Sequence, residues 1–441
     1  MMNQKYKLRA VAVAAVLAVP MGAAMATNGM MMEGYGPIST GMGGASQAID
    51  NGGEGMAQNP ATLGMMADGT SRLDLAIGVL GPDVKSSVPG MPEAKSSGNS
   101  YIMPALGYTK RSGEFTYGVG MFAQGGMGTE YDANSFMAFG TGQPVRSELG
   151  VGNVIFPVAY EVNPNLTVAA SLKFLWASLD MRMAGTVGTL SPIVTGGSGN
   201  LAMGFGRAPA DTQARVDFSD NNDFTGAAKS TGYGASLGTT YKVNQDVMLG
   251  ASYQFKSHLA DMKTATSAAS MSMPGMTDYG QITVLDFQMP SVFAVGGSWQ
   301  VSPSLLLAAD VKYIGWADVM KDFKLQYDSS MGNGSVSFAL PQNWRDQTVL
   351  NLGVAWMAND KLTLRAGLNL SANPVPDTYV NALFPAIEAN HATFGFGYKF
   401  SHADEVNASL TLAPTVTVTS GQGVTISHSQ TNAQLMYSHR F

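Results

Sequence analysis

The chain has no cysteine, so neither a disulfide nor a thiolate is available to it. Only 13% of its 441 residues are charged, low for a surface facing water on every side. Its five histidines are scattered, and none pairs at i, i+4 to grip a metal from one helix face. The net charge is −6, which argues against a nucleic-acid partner. Beyond the first 26 residues no stretch is long and apolar enough for a membrane helix. A disulfide scaffold, a helical membrane protein and a nucleic-acid binder are thereby set aside.

What is abundant is glycine (52), methionine (29) and alternation. In Leu362–Ser371 every even residue is apolar and every odd one is polar or Gly. A period of two puts the leucines on one face of a strand and Thr363, Arg365, Asn369 and Ser371 on the other. The pattern returns in Leu166–Trp176, Val247–Lys256, Leu350–Trp356 and Phe394–Phe400. The non-apolar face is too Gly-rich to be only a solvent surface. Apolar toward lipid and small or polar toward a lumen is the arrangement of a transmembrane β-barrel. A mean hydropathy of +0.04 with few charges fits that reading.

Residues 1–26 read as a signal peptide: Lys5, Lys7 and Arg9 form a basic start, Ala10–Val19 an apolar run, and Ala24-Met25-Ala26 a small-residue cleavage site. Short polar turns such as Asn163-Pro164-Asn165, Asn244-Gln245-Asp246 and Asn359-Asp360-Lys361 separate alternating runs. Longer loops fall near 85–99, 125–147, 183–228, 259–281, 329–344 and 372–390. Counting runs predicts an all-β fold: a 14-stranded antiparallel transmembrane barrel over residues 70–441. Residues 27–69, rich in Gly and Met and without sustained alternation, are expected to plug its lumen. The aromatic C-terminus, with Leu435, Tyr437 and Phe441 on one face, suits recognition by the barrel assembly machinery.

The plug segment carries a resemblance. Gly41-Met42-Gly43-Gly44-Ala45-Ser46-Gln47-Ala48, Asp50 and Asn59-Pro60-Ala61-Thr62-Leu63 resemble the N-terminal hatch of the long-chain fatty acid transporter family, FadL and its OmpP1 and toluene-transporting TodX relatives. Gly128-Thr129-Glu130-Tyr131, Leu340–Asp346, Pro374-Val375-Pro376-Asp377 and Gly395–Phe400 follow in family order. The resemblance implies a monomeric, hatch-plugged barrel in the outer membrane of a Gram-negative bacterium, among outer-membrane lipid and lipopolysaccharide. It implies passive uptake of hydrophobic small molecules, long-chain fatty acids or hydrocarbons, with sideways exit where the third strand is kinked. Gly43, Gly44, Asn59, Pro60 and Ala61 are the hatch motif. Gly118 and Gly120, in the third strand, are the expected place for the break, because Gly weakens a strand.

Ligand contacts are expected from Met30, Met31, Met32, Met42, Met121, Phe122, Met127, Phe136, Met137, Phe139, Met203 and Phe205. Thioether chains wrap varied apolar shapes, and apolar residues on loops mark binding surfaces. Packing of the loops onto one another is the competing role. Met271, Met273 and Met276 have a Cu(I)-like spacing, but Met is abundant throughout. Neither a metal nor a cofactor is expected. Gly234-Ala235-Ser236-Leu237-Gly238 fits a nucleophile elbow, yet it sits in an alternating strand with no helix after it, so no enzyme is expected. A general porin and, less well supported, an outer-membrane lipid hydrolase are the alternatives.

Overall fold

A computed structural model describes residues 28–222, 225–388 and 390–441. The expected signal peptide, residues 1–26, lies outside the described residues. The strands are β1 (Ser71–Ser87), β2 (Ala94–Lys95), β3 (Tyr101–Ser112), β4 (Phe115–Tyr131), β5 (Val145–Asn163), β6 (Leu166–Thr186), β7 (Val194–Ser198), β8 (Gln213–Phe218), β9 (Ala228–Lys242), β10 (Val247–Gln254), β11 (His258–Leu259) and β12 (Met262–Lys263). They continue as β13 (Ala269–Met273), β14 (Met276–Leu285), β15 (Val292–Ser302), β16 (Leu305–Ile314), β17 (Asp322–Ser329), β18 (Ser335–Pro341), β19 (Gln347–Met357), β20 (Leu362–Ser371), β21 (His391–Lys399), β22 (Asp404–Thr419) and β23 (Thr425–Arg440).

All pairings are antiparallel. From β1 they run through β3, β4, β5, β6, β9 and β10, then β15, β16, β19, β20, β21, β22 and β23. β23 returns to β1, from Arg72↔Arg440 to Ser87↔Thr425, and closes the barrel.

The expectation of 14 strands is corrected. Among the described residues the sheet contains 23 strands, of which 18 have six residues or more. The excess comes largely from the segments read as loops at 183–228, 259–281 and 329–344, which contribute β7, β8, β11, β12, β13 and β18. β8 pairs with the far end of β6, and pairing continues through β13, β14, β17 and β18 to β7. The physical reason is local alternation in these segments. Ala214, Val216 and Phe218 in β8, and Val336, Phe338 and Leu340 in β18, all turn to one buried side.

The wall has the two faces that alternation demands. Leu172, Phe174, Leu249, Phe293, Phe394, Phe396 and Leu435 are exposed on its outside. Ser171, Lys173, Asp310, Asn351, Asn369, Thr393 and Asn432 are buried inside. At the turns, the side-chain oxygens of Asn163, Asn244 and Asn359 each accept backbone N–H bonds from the two residues that restart the next strand. These are the Asx turns that Asn favours.

Residues 28–66 pack within the ring. They form helix α1 (Gly36–Thr40) and two 3-10 turns, Gly52–Ala57 and Pro60–Met65. Such irregular backbone must find its hydrogen bonds in the wall. The backbone N–H groups of Ser46 and Gln47 donate to Asp310 Oδ2 at 2.6 and 3.1 Å. Gly53 N–H donates to Asp74 at 2.6 Å, and Arg72 pairs with Asp50 at 3.2 Å. Asn351 Nδ2 donates to Gly44 O, and Asn369 Nδ2 in turn donates to Asn351 Oδ1.

The resembling motifs have defined local roles. Asn59 caps the second turn by accepting from Ala61 N–H, while its Nδ2 donates to Gln47 O and to Thr239 O on β9. Pro60 follows as the first helical residue. Gly43 and Gly44 have φ of +68° and +85°, and a Cβ at Gly43 would lie 2.4 Å from Leu368 O. Only glycine combines that backbone with so close an approach to the wall.

Candidate functional site

The site follows from a break in strand pairing. β3 and β4 pair regularly from Ser112↔Phe115 to Leu106↔Met121, and there the ladder ends. Both strands go on, β3 to Tyr101 and β4 to Tyr131. β3 stays with β1 as far as Leu80↔Tyr101. β4 stays with β5, but its register shifts between Ala123 and Gly125, leaving Gln124 as an extra residue. A bulge of this kind bends its strand and increases its twist. Further on, Ser97 N–H donates to Glu130 O at 2.8 Å, and Glu130 N–H to Ser96 Oγ at 3.0 Å. The wall therefore parts between β3 and β4 over a short stretch bounded by Met121 below and Glu130 above.

Gly118 and Gly120 stand in the paired part of β4, opposite Thr109 and Gly107. A Cβ at Gly118 would come 2.2 Å from Tyr108 O, and one at Gly120 would come 2.6 Å from Met56 Sδ. Their smallness serves close packing, of Gly120 against residues 28–66. The break begins just beyond them.

At the break the N-terminal segment supplies backbone partners. Met31 forms a bridge with Gly125, and Gly126 N–H donates to Met30 O at 3.0 Å. Tyr35 Oη donates to Gln124 O at 2.7 Å. A Cβ at Gly125 would lie 2.2 Å from Met30 O, so glycine is required for this approach.

Behind the break lies a cavity of about 350 Å3. Met30, Met31 and Met32 meet Met121, Phe122 and Met127 there, along with Ile102, Met103 and Pro104 of β3 and Trp176 of β6. Six of the twelve expected ligand residues are thus brought together. Met42 is elsewhere, packed with Ala45, Ile49, Ala308 and Ala355 under the opposite wall. Phe136 and Met137 pack in the loop layer, and Phe139 is exposed. Met203 is exposed on helix α2 (Gly199–Arg207), while Phe205 on the same helix meets Phe338 edge-on at 6.4 Å. Loop packing accounts for Phe136, Met137 and Phe205.

The cavity lining also includes polar side chains. Glu33, Gln430, Asn432 and His428 are among them, the last three at alternate positions of β23. Sequence reasoning passed over them, although the lumen-facing phase of that strand carried the signal. Of the lumen cations, Lys173 donates to Gln254 and Lys312 donates to Glu33 O, both at 2.7 Å. Arg365 donates to Asn407 at 2.9 Å. Lys256 pairs with Asp318 and is half-buried, and Lys399 is exposed. Among the described residues, no cluster of three or more His, Asp or Glu is placed to hold a metal ion.

Residues 13–438 match the family described as outer membrane protein transport protein (OMPP1/FadL/TodX). The chain belongs to this family. It is an outer-membrane β-barrel transport protein, of a family of channels and not of enzymes. The toluene transporter TodX of Pseudomonas putida is similar in structure, with a TM-score of 0.82 and 32% identity, covering 93% of this chain and 99% of that one. The Ralstonia pickettii toluene transporter TbuX gives 0.78 and 32%, with coverage of 93% and 99%. Outer membrane protein P1 of Haemophilus influenzae is 23% identical over 290 residues, 65% of this chain and 60% of that protein. An uncharacterized Chlorobium limicola protein is 37% identical over 114 residues, 26% of this chain and 55% of that one. The chain thus aligns with little more than half the length of these two curated relatives.

Proposed function

We propose that this transporter passes small hydrophobic compounds passively inward, holds them in the Met-lined cavity, and releases them sideways through the break between β3 and β4 into the membrane. Residues 27–69 act as a hatch that closes the lumen to water and solutes, which distinguishes the protein from an open porin. The observation that carries the reading is the continuity of cavity and break. Ile102, Met103 and Pro104 on one side and Met121, Phe122 and Ala123 on the other border both.

Physical chemistry favours this route over one straight down. An aromatic solute hides roughly 150–250 Å2, so leaving into periplasmic water forfeits about 4–6 kcal/mol at about 25 cal/mol per Å2. Leaving into lipid keeps that surface out of water. The two toluene transporters among its structural relatives, and the volume of the cavity, favour compounds of monoaromatic size.

Gly150 gives a clean test. It lines the cavity, and a Cβ there meets nothing nearer than Ser178 Oγ at 3.9 Å. Gly150→Phe should fold normally, fill the cavity and cut uptake of labelled toluene by about tenfold, the effect of about 1.4 kcal/mol. Wild-type uptake by a folded Gly150→Phe protein would show that cargo does not pass through this cavity.

A further inference from the structure

The cavity is lined from both faces of the wall. Leu149 and Val151 belong to the buried, lumen-facing phase of β5, and Gly150 and Gly152 to the other phase, which further along the strand carries the exposed Phe156 and Val158. Successive residues of a strand point to opposite sides, so one cavity touches both the lumen and the lipid-facing surface. Across the break, the exposed Ile102 and Met121 line it too. The outer mouth thus has a floor without side chains at Gly150 and Gly152, and one large side chain beside it, Trp176.

Trp176 stands directly opposite Gly152 in the β5–β6 ladder. It shares its phase with Leu172 and Phe174, which are 69% and 50% exposed, yet it is itself half-buried. The glycine explains the difference. A Cβ at Gly152 would run into the indole at Cζ2 and Cε2, so the ring occupies the space that a side chain there would fill. Cross-strand packing of an aromatic over a glycine holds the ring in place. The indole is thereby laid along the wall toward β4 and the break. Trp299 gives the contrast: close to the turn after Ser302 it is 51% exposed, as suits an aromatic anchor at the membrane interface. Two other aromatic residues that line the cavity, Tyr101 and Phe122, lie on the lumen-facing phase of β3 and β4, with the buried Thr109 and Thr116.

Resting on the lateral exit above, we propose that Trp176 is a specificity-determining residue at the outer mouth, one that favours flat aromatic cargo over saturated cargo of the same size. A ring leaving between β3 and β4 passes from the methionines on the lumen side to the indole on the lipid side. Both surfaces offer apolar contact. Two aromatic rings gain further from offset or edge-on packing, beyond the area they bury. A saturated ring buries the same area and gains nothing more, so it leaves without that help at the narrowest part of the route.

The test is uptake of labelled toluene and labelled methylcyclohexane by cells expressing the full chain. It is read as a ratio of rates at matched expression, with folding checked by heat-modifiable mobility. The wild type is expected to take up toluene about fivefold faster than methylcyclohexane. Trp176→Leu should slow toluene about fivefold, to the methylcyclohexane rate, and leave methylcyclohexane nearly unchanged. Trp176→Phe should keep most of the ratio. Trp176→Met gives the same comparison if Trp176→Leu fails to assemble. Equal rates for the two compounds in the wild type overturn the proposal, and so does a wild-type ratio in folded Trp176→Leu or Trp176→Met. A variant that slows both compounds alike also overturns it, since that is the effect of a tryptophan that only supports the wall. Wild-type uptake of both compounds by folded Gly150→Phe refutes the cavity reading instead, an outcome separate from loss of the ratio.

Discussion

Deleting Gln124 should close the wall. Before the bulge, β4 and β5 pair in one register, as in Gly120↔Ile155 and Ala123↔Gly152; after it, Gly125 faces Val151. Removing the one extra residue puts Gly125 next to Ala123 and continues the first register without interruption. A straightened β4 then runs alongside β3, whose residues toward Tyr101 already lie in the sheet with β1. The losses can be counted. Gln124 O accepts from Tyr35 Oη at 2.7 Å, and Gln124 Oε1 accepts from Asn153 Nδ2 at 3.2 Å. At about 1 kcal/mol each, the deletion costs about 2 kcal/mol, before any bonds gained between β3 and β4. That is small beside the hydrogen bonds of a closed barrel, so the protein should assemble and keep its heat-modifiable mobility on gels. Uptake of labelled toluene by cells should fall about tenfold or more, since about 1.4 kcal/mol on the exit barrier suffices. Toluene binding to the solubilised protein should change little, because the cavity residues remain. Uptake at the wild-type rate in a folded deletion protein, at matched expression, would refute lateral exit at this bulge.

Other outcomes follow from the hatch. Asp310→Ala removes the carboxylate that holds Ser46 and Gln47, two charge-assisted bonds of about 1.5–3 kcal/mol each. In planar bilayers it should turn a quiet barrel into one with brief conductance bursts, and an unchanged trace would count against the hatch as the lumen's barrier. Burial first, and the nearby Asp74 second, push the Glu54 carboxyl from its ordinary 4.5 up to about 8. With the folded value raised, its contribution to stability is fully present below 4.5 and is lost as pH rises through about 8. The melting temperature should therefore drop across that window in the wild type and much less in Glu54→Gln; parallel profiles would remove Glu54 as the cause.

The sequence made the wall legible because alternation and Asn-led turns are local signals. Leu362–Ser371 could be read as a strand with no knowledge of its neighbours. The extra strands were hidden for the opposite reason. β8 and β13 are short, lie in Gly- and Met-rich stretches, and are held by partners distant in sequence, as in Met271↔Val216. The six cavity residues found in advance sit in the N-terminal segment and β4, where apolar side chains were conspicuous. Phe205 and Met137 were equally conspicuous but are held by loop packing, which composition alone does not separate from ligand contact. The break itself was sought at Gly118 and Gly120 because glycine weakens strands. What marks it is a one-residue surplus at Gln124, which becomes countable only when the register of β4 against β5 is known. Gln430, Asn432 and His428 were missed because a polar residue in the lumen is the default for a barrel.

Hatch and break are one device on this view. Opening β4 away from β3 leaves backbone groups that a closed wall would satisfy, and a membrane offers them no water. Met30 and Met31 supply partners at Gly126 and Gly125, so the segment that fills the lumen also makes the break tolerable. Expelling the hatch to let cargo fall through would undo those bonds together with the bonds to Asp310, Asp74, Asn351 and Thr239. At about 0.5–1.5 kcal/mol for each neutral bond and about 1.5–3 for each charged one, that sum exceeds what binding a small apolar solute releases. A solute at the break instead needs only side-chain motion of Met and Phe. On the lateral route proposed above, the same N-terminal residues block the axial path and support the lateral one, and passage needs no movement of the hatch.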